Sequence, residues 1–216
     1  MLIHPRVALA SGSAAAVGAT LMVLGRVDGS LVIAVILAVA ARAAALAASP
    51  EARAVRALGI LVRTLPAWVA LAVIVTLRAG SPVLADAWGA NAVAGLGIAR
   101  GEVATVVGLW LGALGVAVAI AAPTAGAGPL PLASRDPWRR LETLALAVQV
   151  PLLAGVVAGP QVTGALDLVP WLVGSVVVGG AVAAAGATVA RPETATRAAL
   201  VLAVAGLVLA IGGSGP

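Results

Sequence analysis

Four groups of polar residues interrupt an otherwise apolar chain, and each has the composition to carry chemistry. Arg42 stands inside the apolar run Leu31 to Ser49, about seven residues from its end. A guanidinium there can face a polar interior path, pair with a carboxylate, or snorkel, since roughly 10 Å is within reach of its long side chain. Gln149 is followed by Pro151 in a later run. Proline frees a backbone carbonyl that a side chain or water must satisfy, so either a plain kink or a kinked, hydrated point is expected. Asp86 and Asn91 lie in the segment Val83 to Ala99 and complete, with Arg42 and Gln149, a candidate polar path. The densest cluster is Arg135-Asp136-Pro137-Trp138-Arg139-Arg140-Leu141-Glu142. Arg139 and Glu142 are three apart on a helix and can pair, leaving Arg135 and Arg140 for lipid phosphates or a partner's acidic surface. Arg135, Asp136, Arg139, Arg140 and Glu142 are therefore either a candidate cytoplasmic docking site or a capped topology signal.

Other chemistries find no residues. With no cysteine, thiol catalysis, disulfides and iron–sulfur ligation are absent, and the single histidine, His4, cannot form the pair that would hold a haem or zinc ion. No cofactor and no metal are expected. Phosphate-binding loops, dinucleotide fingerprints and Ser/His/Asp sets do not occur, and the paired carboxylates of a hydrolase are missing. No carboxylate is expected in the middle of a span, which counts against an ion-coupled carrier working through this chain alone.

The elements that must position these residues are membrane helices. The chain has 216 residues, is 62% hydrophobic and only 10% charged, against about 25% charged in soluble domains. Seven apolar runs can each cross roughly 30 Å of hydrocarbon: Val7 to Gly25, Leu31 to Ser49, Leu65 to Gly80, Glu102 to Ala122, Leu141 to Gly159, Val169 to Val189 and Ala195 to Gly213. Within Glu51 to Arg63, Arg53, Arg56 and Arg63 share one helical face opposite Val55, Leu58 and Val62, so this stretch is expected to lie in the interface. Val83 to Ala99 carries Asp86, Asn91 and glycines and is expected to be a loop or re-entrant element. The expected architecture is all-α: one polytopic transmembrane bundle over residues 1–216, without a separate extramembrane domain and with the first run retained as a span.

Arginine fixes the orientation. All thirteen basic residues are arginines. Nine (Arg6, Arg53, Arg56, Arg63, Arg135, Arg139, Arg140, Arg191, Arg197) fall on one side of a seven-span threading, and three (Arg26, Arg78, Arg100) on the other. Short cytoplasmic loops carry such an excess, so the N-terminus is expected in the cytoplasm and the C-terminus outside. Proline follows the same side, in His4-Pro5-Arg6, Ser49-Pro50-Glu51, Asp136-Pro137-Trp138 and Arg191-Pro192-Glu193. Proline at the first helical position loses no hydrogen bond, and Ser49 or Asp136 can cap beside it. Trp68, Trp88, Trp110, Trp138 and Trp171 lie mostly near run ends, where an interfacial belt is expected. Glycine spacings such as Gly108 to Gly112 and Gly155 to Gly159 allow close helix contact. The lack of Phe, Tyr and Lys fits a source genome of high G+C content.

Trp88-Gly89-Ala90-Asn91, Gly95-Leu96-Gly97 and Arg100 resemble a Trp…Asn…Leu-Gly…Arg loop. Its owner is the membrane subunit that anchors the quinone or hydrogenase module in complex I and energy-converting hydrogenases. Ser134-Arg135-Asp136 with Glu142 is similar to that family's Ser-Gly-Arg-Asp…Glu helix start, and Ala187 to Pro192 to its loop before the last span. These segments touch about a fifth of the chain. The resemblance implies an accessory or degenerate subunit of such an assembly.

The expected function is an integral subunit of an ion-translocating respiratory or hydrogenase-like complex, with a structural or ion-path role, in the inner (plasma) membrane. Its expected partners are the lipid bilayer, other membrane subunits and a cytoplasmic protein, and no nucleic acid. The alternative is a small-solute transporter or permease, and an enzyme acting on lipid ranks third because no nucleophile–base pair is visible.

Overall fold

The computed structural model describes residues 4–23, 29–49, 52–84, 86, 102–124, 136–157, 169, 173–175, 179 and 191–213. Among them are six long helices: α1 (Pro5–Val23), α2 (Leu31–Ala48), α3 (Ala52–Ala79), α4 (Val103–Ala121), α5 (Pro137–Val157) and α6 (Pro192–Gly213). A 3-10 turn, Ala122–Thr124, extends α4. Pro5, Pro137 and Pro192 each open a helix, and the residue before each of them accepts the first helical hydrogen bond: Ala8 N–H donates to His4, Arg140 N–H to Asp136 and Ala195 N–H to Arg191. Proline thus sits where its missing N–H costs nothing. Leaving α3, the chain turns at Gly80, whose φ of +66° is open to glycine without strain.

Five helices are long and apolar enough to cross a membrane: α1, α2, α4, α6 and the Val55–Ala79 part of α3. The fifth apolar run is helix α5, 21 residues long, which packs within the same bundle but carries Arg139, Arg140, Glu142 and Gln149. Of the run expected over 169–189, the described residues Val169, Val173, Gly174, Ser175 and Gly179 are helical. Its remainder, with Asn91 and most of Val83 to Ala99, lies outside the described residues.

Contacts between helices fix their directions. Gly12 of α1 faces Ala44 of α2 while Gly18 faces Leu37, so the first two helices form an antiparallel hairpin. Gly108 of α4 lies against Gly206 and Ala210 of α6, and Gly115 against Ala199 and Ala203, again antiparallel. A Cβ on Gly108 would come within 2.5 Å of the Gly206 carbonyl oxygen, so this crossing needs glycine. Gly12 also touches Leu141; Arg42 and Ala38 of α2 meet Glu142 and Gln149 of α5 in that order, so α5 runs antiparallel to α2 and parallel to α1, and Ile60, Ala122 and Ala195 cluster where α3 begins, α4 ends and α6 begins. Helices α1, α3, α5 and α6 therefore start at one end of the bundle, which also holds Arg6, Arg56, Arg63, Arg139, Arg140, Arg191 and Arg197. Arg78 and Glu102, flanking the segment expected to be a loop or re-entrant element, lie 3.9 Å apart at the opposite end. There Ser30 and Val83 form an antiparallel bridge.

Two expectations are refined. The stretch expected to lie in the interface continues without a break into the third span as one 28-residue helix, α3, about 42 Å long. Its buried face is Ala57, Ile60, Leu61 and Thr64, whereas Val55 and Val62 are exposed together with Arg56 and Arg63. Docking against the α4 and α6 termini, through Ile60, outweighs the local amphipathic pattern. The described tryptophans do not form a simple belt either, Trp88 and Trp171 lying outside the described residues. Trp68 is 2% exposed and sits in the core among Leu71, Ile74 and Leu109; Trp110 is exposed mid-helix, and Trp138 lies at the start of α5.

Candidate functional site

The polar centre of the bundle is where α2, α4 and α5 meet. Arg42 and Ala38 are one turn apart on α2, and Glu142 and Gln149 are seven apart on α5, a spacing that puts each pair on one helical face. Because α2 and α5 run antiparallel, Arg42 and Glu142 arrive at similar depth, about two turns in from the arginine-rich end. Arg42 Nε lies 3.9 Å from Glu142 Oε1, a charge contact longer than a hydrogen bond. Arg42 Nη1 donates to the Ile120 carbonyl at 2.6 Å. Ile120 is in the last turn of α4, where carbonyls lack helical partners and the helix dipole presents its negative end, a natural seat for a cation. Deeper in, Gln149 Nε2 donates to the Ala38 carbonyl at 3.2 Å.

All three side chains are withdrawn from the surface: Arg42 and Gln149 are 0% exposed and Glu142 is 4% exposed. Snorkelling is therefore not what Arg42 does. Its head group is held inside by the α4 terminus and by Glu142. Arg42 Nη2 and Gln149 Oε1 are buried without a hydrogen-bond partner among the described residues. Unpaired buried polar atoms of this kind are rare and are normally met by ordered water or a ligand. At 3.9 Å the Arg42–Glu142 attraction is about 4 kcal/mol at an effective dielectric of ~20, comparable to the several kcal/mol needed to desolvate each ion. The pair is near break-even as a whole and costly to break.

The remaining candidates divide. Glu142 does not belong to the docking surface where the local spacing put it; its side chain is turned into the bundle, a buried carboxylate near the start of α5 and not in the middle of a span. Asp136 and Arg140 stay exposed. Arg139 contacts Asp136 at 3.6 Å, and its guanidinium lies 5.0 Å from the centre of the Trp138 ring, so these residues form a surface cluster at the arginine-rich end. Arg135 lies outside the described residues. Asp86 is exposed and follows Leu84, whose N–H donates to Gly29 at the far end, so it does not join Arg42 and Gln149. Helix α5 is continuous through Pro151. Gln149 is used for an interhelical hydrogen bond, not to heal a proline break.

Sequence reasoning missed two pairings. Arg42 and Glu142 are a hundred residues apart; the available signal was their opposite charge at matching depth in antiparallel runs. Arg78 and Glu102 also approach, with side chains 7% and 49% exposed. The buried hydroxyls of Thr64 and Thr196 donate to Leu61 and Pro192 of their own helices and are accounted for locally.

Apolar helices of spanning length, with charge among the described residues confined to the bundle ends and one buried junction, define an integral membrane protein. No known family, curated protein or solved structure matches the chain.

Proposed function

We propose that this chain is an integral membrane subunit of an ion-translocating respiratory or hydrogenase-like complex, with a structural or ion-path role, and with its arginine-rich end in the cytoplasm of the cell that carries it in its plasma membrane. The observation that carries this reading is the buried Arg42–Glu142 contact, continued inward by Gln149. Ionisable side chains are expensive at membrane depth and are kept there mainly where ions move or where helices must be locked in register. The surface cluster of exposed Asp136 and Arg140 with half-buried Arg139 supports a partner on the same side, since surface charge of this kind steers docking. The resemblance of the Trp88 to Arg100 and Ser134 to Glu142 segments to complex I anchors points the same way.

Purification in mild detergent from the native membrane tests it. Hydrophilic redox subunits are expected to co-purify, and recovery as a lone stable protein would contradict the reading. The same buried carboxylate favours a second reading, a small-solute permease coupled to an ion. In liposomes that reading requires solute flux which is lost in Arg42→Ala.

A further inference from the structure

Resting on the ion-path reading, we propose that the ion bound at this junction is a proton taken up by the Glu142 carboxylate, and that metal cations are excluded from it. The argument begins with the ligand count. A hard cation requires several converging oxygens, six to eight at roughly 2.3–2.6 Å for calcium. Glu142 and Gln149 share a face of α5 but stand about 10 Å apart along its axis, so their oxygens cannot close on one ion, and the Ile120 carbonyl beside Glu142 is already taken by Arg42 at 2.6 Å. Arg42 Nε at 3.9 Å adds a fixed positive charge that repels any metal cation at the carboxylate. A proton needs one oxygen only and becomes part of the group, so a guanidinium neighbour does not deny it a site.

Protonation also leaves the junction electrostatically tolerable. When Glu142 is neutral, Arg42 keeps its 2.6 Å hydrogen bond to Ile120 and the negative end of the α4 dipole, so its charge is not stranded. Exchange requires water, and Arg42 Nη2 and Gln149 Oε1 are buried polar atoms suited to hold it. The transfer is simple: a hydronium from the arginine-rich end forms an O–H bond to a Glu142 oxygen and leaves as water, with no redox change. The route is short, because Glu142 stands about 7.5 Å along α5 from its first residue. Around it, the described ionisable groups are Arg42 on α2, Asp136, Arg139 and Arg140 on its own helix, and His4 and Arg6 at the start of α1. At this end the described residues of α4 carry no ionisable side chain.

Infrared difference spectroscopy on the full-length chain in lipid nanodiscs provides the test. The pH is stepped from about 8 to about 4, a range that spans ordinary carboxylates and leaves room for a shifted one. The expected result is a reversible protonated-carboxyl band with slow deuterium exchange. It should be absent in Glu142→Gln, retained in Glu142→Asp, and unmoved when sodium, potassium or calcium chloride replaces choline chloride. Circular dichroism verifies the fold of each variant. If Glu142→Gln does not fold, Arg42→Gln with Glu142→Gln, which leaves no unpaired charge, takes its place. Persistence of the band without Glu142, absence of any such band in the natural chain, or a band shifted by a metal cation would each overturn the proposal. Because the measurement needs no partner, a titrating Glu142 in a chain that co-purifies with nothing would sink the subunit reading and leave the proton site standing.

Discussion

Replacing Arg42 by methionine keeps most of the side-chain volume and removes the charge. Two losses follow from the structure. The Glu142 carboxylate, 5% exposed, loses a counter-charge 3.9 Å away, an attraction of about 4 kcal/mol at a dielectric of ~20. The Ile120 carbonyl loses a charged hydrogen bond of 2.6 Å, the kind that contributes roughly 1.5–3 kcal/mol. Against these stands relief from desolvating the guanidinium, several kcal/mol, so the net cost of Arg42→Met is expected to be about 3–5 kcal/mol, as when one half of a buried pair is removed. Glu142→Leu should cost less, because Arg42 keeps its 2.6 Å hydrogen bond to Ile120 and the negative end of the α4 dipole. Arg42→Met combined with Glu142→Leu leaves no stranded charge and should return close to the natural stability, giving a coupling energy of roughly 3 kcal/mol or more. Denaturant titration in mixed micelles, read by circular dichroism for all four proteins, measures the cycle. A cost below about 1 kcal/mol for Arg42→Met, with additive single effects, would show a guanidinium that reaches water and would refute the buried junction.

Further predictions rest on packing. Gly108→Leu forces side-chain atoms onto the Gly206 backbone, where even a Cβ would stand 2.5 Å from the carbonyl oxygen; thermal unfolding should show a loss of at least about 3 kcal/mol, the upper range for overpacking. Gly59, with nothing within 4 Å of a built Cβ, is the matched control, and Gly59→Ala should leave stability unchanged or raise it by up to about 1 kcal/mol through helix propensity. Trp68 is a wall of the apolar groove of 610 Å³ between α2 and α3, and Trp68→Ala should cost about 3–5 kcal/mol in the same assay. Arg78→Met keeps the packing of a side chain only 7% exposed and removes a charge contact whose Glu102 partner is half exposed; a change within about 1 kcal/mol is expected from the micelle titration, because that partner remains open to solvent.

The parts of this bundle that read directly from sequence are those set by local rules. Pro5, Pro137 and Pro192 mark helix starts because the ring's fixed φ and missing N–H suit that position alone. The arginine bias groups the α1, α3, α5 and α6 starts because it records loops, not contacts. Arg42 and Gln149 were visible as interruptions for the same reason. What they touch was not, since Ile120 and Glu142 become neighbours of Arg42 only after α2, α4 and α5 pack. Glu142 shows the limit most clearly: three residues from Arg139 on one helix, it fits a surface pair, and only the position of α2 turns it into the core. Likewise the face of α3 that becomes buried was decided by the ends of α4 and α6: of the expected apolar face only Leu58 packs on the core, while Val55 and Val62 stay exposed.

Because the natural chain has no cysteine, single-cysteine labelling with a membrane-impermeant maleimide tests the membrane threading directly. Ser81→Cys lies at the end opposite the arginines, and Thr194→Cys in the first turn of α6 at the arginine-rich end. In intact cells Ser81→Cys should react at once and Thr194→Cys only after the membrane is permeabilised. Labelling of both positions from one side would contradict a bundle that spans the membrane between them, and reaction of Thr194→Cys alone would reverse its orientation.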